Sequence, residues 1–244
     1  MTTEAVILMA GTGSRLGEAA GAIAKPLVRV GGRALISHTL DALASAGVRR
    51  VHAVMGATSV RLTSEIERLL PAGMQLNAVV NPEWQKQNGV SVLCAKLHLR
   101  GPFFLAMGDH VFDAEIFGLL LRAANPALLN LAIDRKIGAI FDLDDAMKVQ
   151  TRDEHVTAIG KTLENYDAID TGLFLCPNEL FDYLRKAQRD GDCSLADGVR
   201  LMAADGKVRA VEIGDAWWQD VDTPEMHAHA EAHFAAAPPA QSAR

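Results

Sequence analysis

Residues 6 to 17 read VILMAGTGSRLG, an apolar run that leads into three closely spaced glycines. The stretch AVILMA, residues 5 to 10, has the length and composition of a buried strand. Glycines directly after a strand let the backbone approach an anion closely, and successive N–H groups there form an anion-binding concavity. The stretch therefore predicts a phosphate-binding loop at the end of a central strand. A glycine-rich turn without a ligand is the alternative.

Strands and helices alternate through the rest of the first half of the chain. Further strands are predicted at residues 50–56, 75–80 and 102–109. Helices are predicted at residues 34–47, 59–70, 89–99 and 114–124. This alternation predicts an α/β fold of Rossmann-like type, in which helices cover both faces of a mostly parallel sheet.

The second half of the chain has a different pattern. Short strand-like runs separated by turn residues or charges occur at residues 128–134, 146–151, 155–161 and 169–176, and they predict a smaller antiparallel or mixed extension. The remaining predicted elements are helices at 177–189, 194–205 and 223–234 and strands at 207–213 and 217–221. We expect a single domain over residues 1–234, because no linker or repeat interrupts the pattern, and a disordered tail over 235–244.

Composition and charge exclude several classes of protein. A net charge of −6 argues against nucleic acid as the main partner. The three cysteines lie far apart, which argues against a disulfide framework and against a zinc site and favours a reducing cytoplasm. Residues 1–10 lack a signal-peptide pattern, and no apolar run approaches the ~20 residues of a membrane span. We therefore expect a soluble, cytoplasmic protein without direct membrane insertion.

The glycine loop departs from the dinucleotide-binding fingerprint. The sixth position of GxGxxG is occupied by Leu16, and Gly17 comes one residue late. The second predicted strand ends without the acidic residue that would bind a ribose. The loop carries two cations instead, Arg15 and Lys25, which suit a triphosphate whose leaving group develops negative charge. These features argue against a dinucleotide-dependent oxidoreductase.

Two aspartates follow predicted strands, Asp109 in FFLAMGDHVFD and Asp222 in WWQDVDTPEM. Mg²⁺ prefers oxygen ligands and is often held by one or two carboxylates, with waters and phosphates completing its octahedron. The two residues are thus candidate ligands of one magnesium ion. The alternative for each is a cap of the helix that follows it.

The segment MAGTGSRLG, followed by AKPL, resembles the signature loop of the sugar-phosphate nucleotidyltransferases, in which alanine usually stands at the position of Met9. The resemblance implies that this loop wraps a nucleoside triphosphate. The nucleotide-binding residues implied in the loop are Leu8, Ala10, Gly11, Thr12, Gly13, Ser14 and Arg15. Arg15 would hold the departing pyrophosphate, and Lys25 would bridge the phosphates of both substrates.

Four further segments narrow the resemblance: MGDHVFD, IDRKIGAIFDLDDAMKV, AIGKTLENYDAIDTGLFLC and WWQDVDTPE. Together they resemble the inositol-1-phosphate cytidylyltransferases over nearly the whole chain, from about residue 4 to residue 230. The implied reaction is Mg²⁺-dependent transfer of CMP from CTP to an alcohol phosphate, giving CDP-inositol and pyrophosphate. The family resemblance makes Arg15, Lys25, Asp109 and Asp222 the catalytic set, with the two aspartates as metal ligands.

The resemblance also divides the chain into a nucleotide-binding half, residues 1–127, and an acceptor-binding half, residues 128–234. In the first half it adds Asn88, Gly89 and Ser91 as base or ribose contacts, where a helix cap and a solvated first turn are the alternatives. In the second half the candidate acceptor-binding residues, with Lys25, are Asp134, Arg135, Lys136, Lys148, Lys161, Asp170 and Thr171. An exposed charged turn at 134–136 and a plain turn before GLFLC are the alternatives there.

Two other functions remain open. A phosphocholine or other small alcohol-phosphate cytidylyltransferase would need an aromatic cage for its acceptor. A catalytically silent nucleotide-binding module is the second, although the four catalytic candidates together argue against it. If the chain is the implied cytidylyltransferase, its product is expected to pass to a separate membrane-embedded CDP-alcohol phosphotransferase.

Overall fold

The computed structural model of the chain describes residues 3–11, 23–56 and 59–236. Its strands, in chain order, are β1 (Glu4–Met9), β2 (Arg29–Val30), β3 (Arg33–Ala34), β4 (Arg50–Met55), β5 (Gln75–Val80), β6 (Phe103–Met107), β7 (His110–Phe112), β8 (Leu129–Asp134), β9 (Lys148–Arg152), β10 (His155–Gly160), β11 (Ala168–Cys176), β12 (Val208–Glu212) and β13 (Trp218–Asp220). The α-helices are α1 (Leu35–Ser45), α2 (Ser59–Glu67), α3 (Asn88–Cys94), α4 (Glu115–Ala123), α5 (Leu180–Ala187), α6 (Leu195–Ala204) and α7 (Pro224–Ala236).

The first half of the chain forms the parallel part of the main sheet. The strand order there is β5-β4-β1-β6, and each neighbouring pair runs parallel. Side chains of β1 alternate between two hydrophobic cores: Ile7 packs with α1 and α4 on one face, whereas Val6 packs with α3, α5 and α6 on the other. Both faces of β1 are therefore buried under helices, which confirms the predicted α/β architecture.

The second half extends the same sheet. β11 lies between β6 and β8 and is antiparallel to both. On its other side, β8 pairs with β12 in the parallel direction. β9 and β10 form an antiparallel hairpin. β10 also pairs with β12, and β9 also pairs with the start of β11. Five strands thereby close into a ring. The predicted mixed extension is confirmed, and it is continuous with the main sheet.

Several boundaries differ from those predicted. The helix expected over 89–99 is interrupted, because α3 ends at Cys94 and a short 3-10 turn, Lys96–His98, follows it. The hairpin of β2 and β3 was not predicted, although the pair Gly31 and Gly32 takes the positive φ angles, 57° and 77°, that a two-residue hairpin turn requires.

The C-terminal helix begins as its sequence predicts. Pro224 is its first residue, and the Thr223 hydroxyl oxygen accepts a hydrogen bond from the Met226 N–H at 3.3 Å. The helix includes residues 235 and 236 of the expected tail, and residues 237–244 lie outside the described residues. Within the described ranges, no helix combines the length and the apolar character that crossing a membrane requires.

Candidate active site

A cleft of about 650 Å³ opens where β6 and β11 meet the segments that follow β8 and β13. A small antiparallel pair, β7 with β13, brings the two candidate metal ligands to this cleft. In that pair Asp220 lies opposite His110, and the Val221 N–H donates to the Asp109 carbonyl at 2.8 Å. Asp109 and Asp222 both line the cleft, although they are far apart in the chain.

The carboxylates of Asp109 and Asp222 converge on one amine. Lys25, in the 3-10 turn Lys25–Leu27, donates to Asp109 Oδ2 at 2.9 Å and also to Asp222 Oδ1. The side chains of Lys25 and Asp222 are only 11% and 13% exposed, while that of Asp109 is 35% exposed. Three of the four predicted catalytic residues are thus in direct contact. The fourth, Arg15, lies outside the described residues.

His110 is the second residue whose side chain contacts the Asp109 carboxylate. Its Nδ1 lies 2.8 Å from Asp109 Oδ1, and its ring stacks on that of Trp218 with 5.9 Å between centroids. Burial alone would raise the pKa of Asp109, but the hydrogen bond and charge of His110, followed by Lys25, hold that pKa well below its usual range. Burial would lower the pKa of His110, but the hydrogen bond and charge of Asp109 raise it. The Asp109 carboxylate is therefore ionised at neutral pH.

The donor set fits magnesium better than zinc. In the part of the chain that the structure describes, no group of three or more His, Cys, Asp or Glu side chains could hold a metal ion. A pair of carboxylates suits Mg²⁺, which takes the rest of its coordination from waters and substrate phosphates. The amine of Lys25 already lies between Asp109 and Asp222, so this position favours a positive charge. Metal ligation by these residues stays a prediction.

The nucleotide-binding candidates lie around the end of β1 and the start of α3. Leu8 is buried and its carbonyl accepts the Gly108 N–H at 2.9 Å, while Ala10 is half-buried and Gly11 is exposed. Thr12, Gly13 and Ser14 lie outside the described residues. The loop that would wrap the triphosphate is therefore described only at its beginning.

Asn88, Gly89 and Ser91 all have structural contacts. Asn88 lines the cleft, and its Oδ1 accepts the Leu195 N–H at 2.8 Å, at the start of α6. Gly89 is packed so closely that a Cβ there would come within 2.7 Å of the Cys193 carbonyl oxygen. Ser91 is buried and its hydroxyl accepts a hydrogen bond from Asn81 at 3.0 Å. Their contact with a nucleotide stays a prediction.

Four of the predicted acceptor-binding residues line the cleft: Asp134, Lys136, Lys161 and Asp170. Asp134 is 3% exposed; its Oδ2 accepts the Trp218 indole N–H at 3.0 Å, and its Oδ1 accepts the Lys136 backbone N–H at 2.7 Å. Asp170 accepts the Gly172 N–H at 2.7 Å, and burial raises its pKa to about 6. These residues form one wall of the cleft beside Asp109.

Three other acceptor candidates do not line this cleft. Thr171 is fully buried and donates to the Ala132 carbonyl at 2.9 Å. The Lys148 amine donates to the carbonyls of residues 144, 146 and 161, and so fixes the segment that precedes β9. Arg135 lines a second cavity of about 390 Å³, where its guanidinium pairs with Glu212 and Asp167. A phosphate in the large cleft is therefore not next to Arg135.

Several residues of the cleft were not predicted from the sequence. They are mainly side chains of the 139–147 segment, of the first turns of α6 and of β13: Phe141, Asp142, Asp145, Leu195, Val199, Arg200, Gln219 and Asp220. Asp142 and Asp145 lie inside a segment that carried the family resemblance. Arg200 has no motif around it, because its place in the cleft depends on the packing of α6.

Comparison with known proteins identifies the family. Residues 5–195 match the family described as the MobA-like NTP transferase domain. A protein of Thermococcus kodakarensis named bifunctional IPC transferase and DIPP synthase is 36% identical over 224 residues, which are 91% of this chain and 48% of that protein. A CMP-5'-(3-aminopropyl)phosphonate synthase of Streptomyces rubellomurinus is 33% identical over 261 residues, 98% of this chain and 40% of that protein. The chain thus spans about half the length, or less, of these relatives.

The fold is also that of a solved structure, the inositol-1-phosphate CTP transferase from T. maritima. The TM-score is 0.84, the sequence identity is 22%, and the match covers 97% of each chain. At this identity the likeness shows the fold alone, and it agrees with the expected nucleotidyltransferase architecture. Because the family match spans most of the sequence, the chain belongs to the MobA-like NTP transferase domain family.

Proposed function

We propose that this chain transfers CMP from CTP to inositol 1-phosphate, with Mg²⁺ as cofactor, and releases CDP-inositol and pyrophosphate. The observation that carries the proposal is the convergence of Lys25, Asp109 and Asp222 at one point of a cleft of about 650 Å³. Two carboxylates and a buried amine are the groups that a transfer between two polyanions needs. An ordinary helix cap would not bring Asp109 and Asp222 to the same amine.

The names of the relatives support this choice of substrates. Relatives from Thermococcus kodakarensis and Archaeoglobus fulgidus carry the name of an IPC transferase joined to a DIPP synthase. The neighbour that shares the fold over 97% of both chains is titled an inositol-1-phosphate CTP transferase. Of the two activities in the relatives' name, the transferase is therefore the one we propose for this chain.

The chemistry needs alignment more than a strong base. An oxygen of the acceptor phosphate, already ionised, attacks the α-phosphorus of CTP in line; the new P–O bond forms as the bond to pyrophosphate breaks. Alignment of two reactants can supply roughly 7–11 kcal/mol of the barrier. Magnesium, when bound by Asp109 and Asp222, supplies neutralisation of the charge on the reacting phosphates. Lys25 holds the two carboxylates together and offers its ammonium to the phosphates of both substrates.

A second acceptor class has one specific observation in its favour. The rings of Phe141, Trp217 and Trp218 line the cleft together with the carboxylates of Asp142 and Asp220. Aromatic faces and carboxylates attract ammonium groups, so phosphocholine or another amino-alcohol phosphate is the alternative acceptor. A relative named for an aminopropylphosphonate product is consistent with this alternative.

The test uses the purified chain with Mg²⁺, each of the four common nucleoside triphosphates, and a panel of acceptors. The panel contains inositol 1-phosphate, phosphocholine, aminopropylphosphonate, glycerol 3-phosphate and glucose 1-phosphate, and released pyrophosphate is measured. Release with CTP and inositol 1-phosphate alone supports the proposal. Release only with an ammonium-bearing acceptor supports the alternative, and no release with any pair favours a silent nucleotide-binding module. Omission of Mg²⁺ in a parallel series is expected to abolish release.

A further inference from the structure

We propose that Arg200 binds the phosphate of the acceptor and thereby sets the affinity of the cleft for phosphate monoesters. This inference rests on the proposed function, since it concerns the second substrate of the same reaction. It adds a residue that neither the sequence motifs nor the names of the relatives indicate. The lysines and the arginine that line the cleft, Lys136, Lys161 and Arg200, differ in the number of hydrogen-bond donors that they still have available.

The two lysines that line the cleft have fewer unused donors than Arg200. The Lys136 amine donates to the carbonyls of Gly214 and Ala216, at 2.6 and 3.1 Å, and lies 2.9 Å from Asp134 Oδ1. An ammonium has three donors, so the two carbonyls leave one of them, and the carboxylate of Asp134 compensates the charge. The Lys161 amine is paired with the carboxylate of Asp145, which leaves two of its donors without an acceptor in the described residues. Each lysine thus offers an acceptor phosphate at most two donors on one flexible amine, and a carboxylate compensates its charge.

Arg200 differs because one of its terminal nitrogens has no protein acceptor in the described residues. Its Nε donates to the Ile159 carbonyl at 3.2 Å, and its Nη1 donates to Asp197 Oδ1 at 2.8 Å. A guanidinium has five N–H donors, so both donors of Nη2 and one of Nη1 remain. The side chain is 52% exposed and lines the cleft. A phosphate there would find planar donors that are already held in place.

Asp197 orients Arg200 and leaves three of its five N–H donors unused. Asp197 Oδ2 accepts both the Ser194 backbone N–H, at 2.9 Å, and the Ser194 hydroxyl, at 2.7 Å, in the capping box of α6. Its carboxylate is therefore fixed by the helix start, and it holds the guanidinium in turn. Gly160 lies beside the guanidinium, since a Cβ there would be in ordinary van der Waals contact with Arg200 Nη2, at 3.8 Å.

The helix itself favours an anion at this wall of the cleft. Ser194, Leu195 and Ala196, at the N-terminal end of α6, all line the cleft. The N-terminal end of a helix carries a partial positive charge that stabilises phosphate groups. Arg200 follows one turn later on the same side. The partial charge of the helix end and the charge of Arg200 act on the same region of the wall. We therefore assign the phosphate of the acceptor to this region and the hydroxyl groups of the acceptor to another part of the cleft.

The hydroxyl groups have other partners in the cleft. Asp142, Asp170 and Asp220 line it and supply acceptors for the O–H groups of a polyol. The same carboxylates repel a phosphate, so the phosphate of the acceptor needs a cation with unused donors. Among the cations that line the described part of the cleft, Arg200 has the most unused donors, three of them in one planar group.

The first experiment compares wild type with Arg200→Gln and Arg200→Lys. We expect the glutamine variant to raise KM for inositol 1-phosphate by roughly ten- to hundredfold, as loss of a charged hydrogen bond does, with KM for CTP changed less than about twofold. The lysine variant should recover part of the affinity. Arg185→Gln is the matched control, because Arg185 also pairs with an aspartate three residues earlier and is 51% exposed, but it lies outside the cleft. An unchanged KM for the acceptor in Arg200→Gln overturns the proposal.

A second experiment separates the phosphate from the hydroxyl groups. Binding of inositol 1-phosphate, glycerol 3-phosphate and inorganic phosphate to wild type and Arg200→Gln is measured by calorimetry without CTP. A similar loss of affinity for all three probes supports the assignment, whereas a loss confined to inositol 1-phosphate assigns Arg200 to a hydroxyl and overturns it. Because binding is read without turnover, a wild type that binds these probes but forms no CDP-alcohol would refute the proposed function and leave this assignment standing. A wild type that binds none of them refutes the assignment.

Discussion

Gly172 lies against the imidazole of His110, so closely that a Cβ at position 172 would come within 2.8 Å of His110 Nε2. Its φ angle is 75°, and it falls in the irregular part of β11, between Asp170 and Phe174, where the register with β8 shifts. The bulge brings the backbone to the ring whose other nitrogen contacts Asp109. A glycine at 172 therefore serves both the turn of the strand and the orientation of His110.

Gly172→Ala is expected to destabilise the protein and reduce turnover. The positive φ angle costs about 1–2 kcal/mol for a residue with a Cβ, and the contact with His110 adds about 1–3 kcal/mol. Gly206→Ala is the control, because Gly206 has a φ of 68° but no described atom within 4 Å of its Cβ position. Urea unfolding and pyrophosphate release measure both variants. If both variants lose the same amount of stability and of activity, the contact between position 172 and His110 has no effect on either.

Asp109→Asn and Asp222→Asn are expected to lower the rate of pyrophosphate release at least a hundredfold, because each removes a carboxylate from the proposed metal site. Far-ultraviolet circular dichroism should show an unchanged fold. Asp205→Asn is the control, since Asp205 accepts a hydrogen bond from the Tyr183 hydroxyl at 2.5 Å and does not line the cleft. Full activity in either of the first two variants would remove that residue from the metal site.

Asp170 should make stability depend on pH in the direction opposite to most carboxylates. Burial raises its pKa from 3.8 to about 6, with partial opposition from the Gly172 N–H and from His110. A folded-state pKa above the unfolded value means that folding favours the protonated acid. The protonated Asp170 carboxyl therefore contributes fully to the free energy of unfolding below about pH 4. This contribution is lost as the pH rises to about 6, and it stays lost at higher pH.

Asp170→Asn removes the ionisable carboxyl and with it the loss of stability at higher pH, and it keeps an oxygen that accepts the Gly172 N–H. The variant should be more stable than wild type by about 1–3 kcal/mol at pH 8, with the difference vanishing below about pH 4. Urea unfolding at three pH values measures this. Asp167→Asn is the control of opposite sign: burial would raise the pKa of Asp167, but hydrogen bonds from Thr151 and Arg135 lower it. That variant should lose stability at neutral pH and match wild type in acid.

Local sequence patterns predicted the strands and the positions at their ends. The apolar run before Met9 and the run before Asp109 form neighbouring strands β1 and β6, as their lengths and their following polar residues indicated. Lys25 could be related to the two aspartates only through the family resemblance. Its contact with Asp222 depends on the pairing of β7 with β13, which no local pattern specifies.

The surroundings of Arg135 could not be predicted from its neighbours in the sequence. The family resemblance implied that DRK at 134–136 contacts the acceptor, with an exposed charged turn as the alternative. Asp134 and Lys136 line the large cleft, and Arg135 does not. Successive side chains leave an extended backbone in opposite directions, so Arg135 faces the other side and meets Glu212 and Asp167. Those partners come from β12 and from the segment before β11. Their proximity follows from sheet topology rather than from neighbouring residues.

Met9 and Gly108 pack as a pair at the ends of β1 and β6. A Cβ on Gly108 would overlap Met9 Cγ and come within 3.0 Å of the Leu8 carbonyl oxygen. Met9 is 8% exposed. Gly108→Ala should therefore cost about 1–3 kcal/mol through overpacking, and Met9→Ala about 2–5 kcal/mol through the cavity it leaves.

The double variant tests whether these costs are linked. Met9→Ala makes room for the added methyl of Gly108→Ala, so the two together should cost about 1 kcal/mol less than the sum of the single changes. Relief is partial, because the Leu8 carbonyl is backbone and cannot move aside as a side chain does. Met9→Ala combined with Gly101→Ala is the control, since no described atom lies within 4 Å of the Cβ position at Gly101 and the costs should add. Additive costs in the Met9 and Gly108 pair, measured by urea unfolding, would show that the methionine side chain moves away without loss and that its size does not restrict position 108.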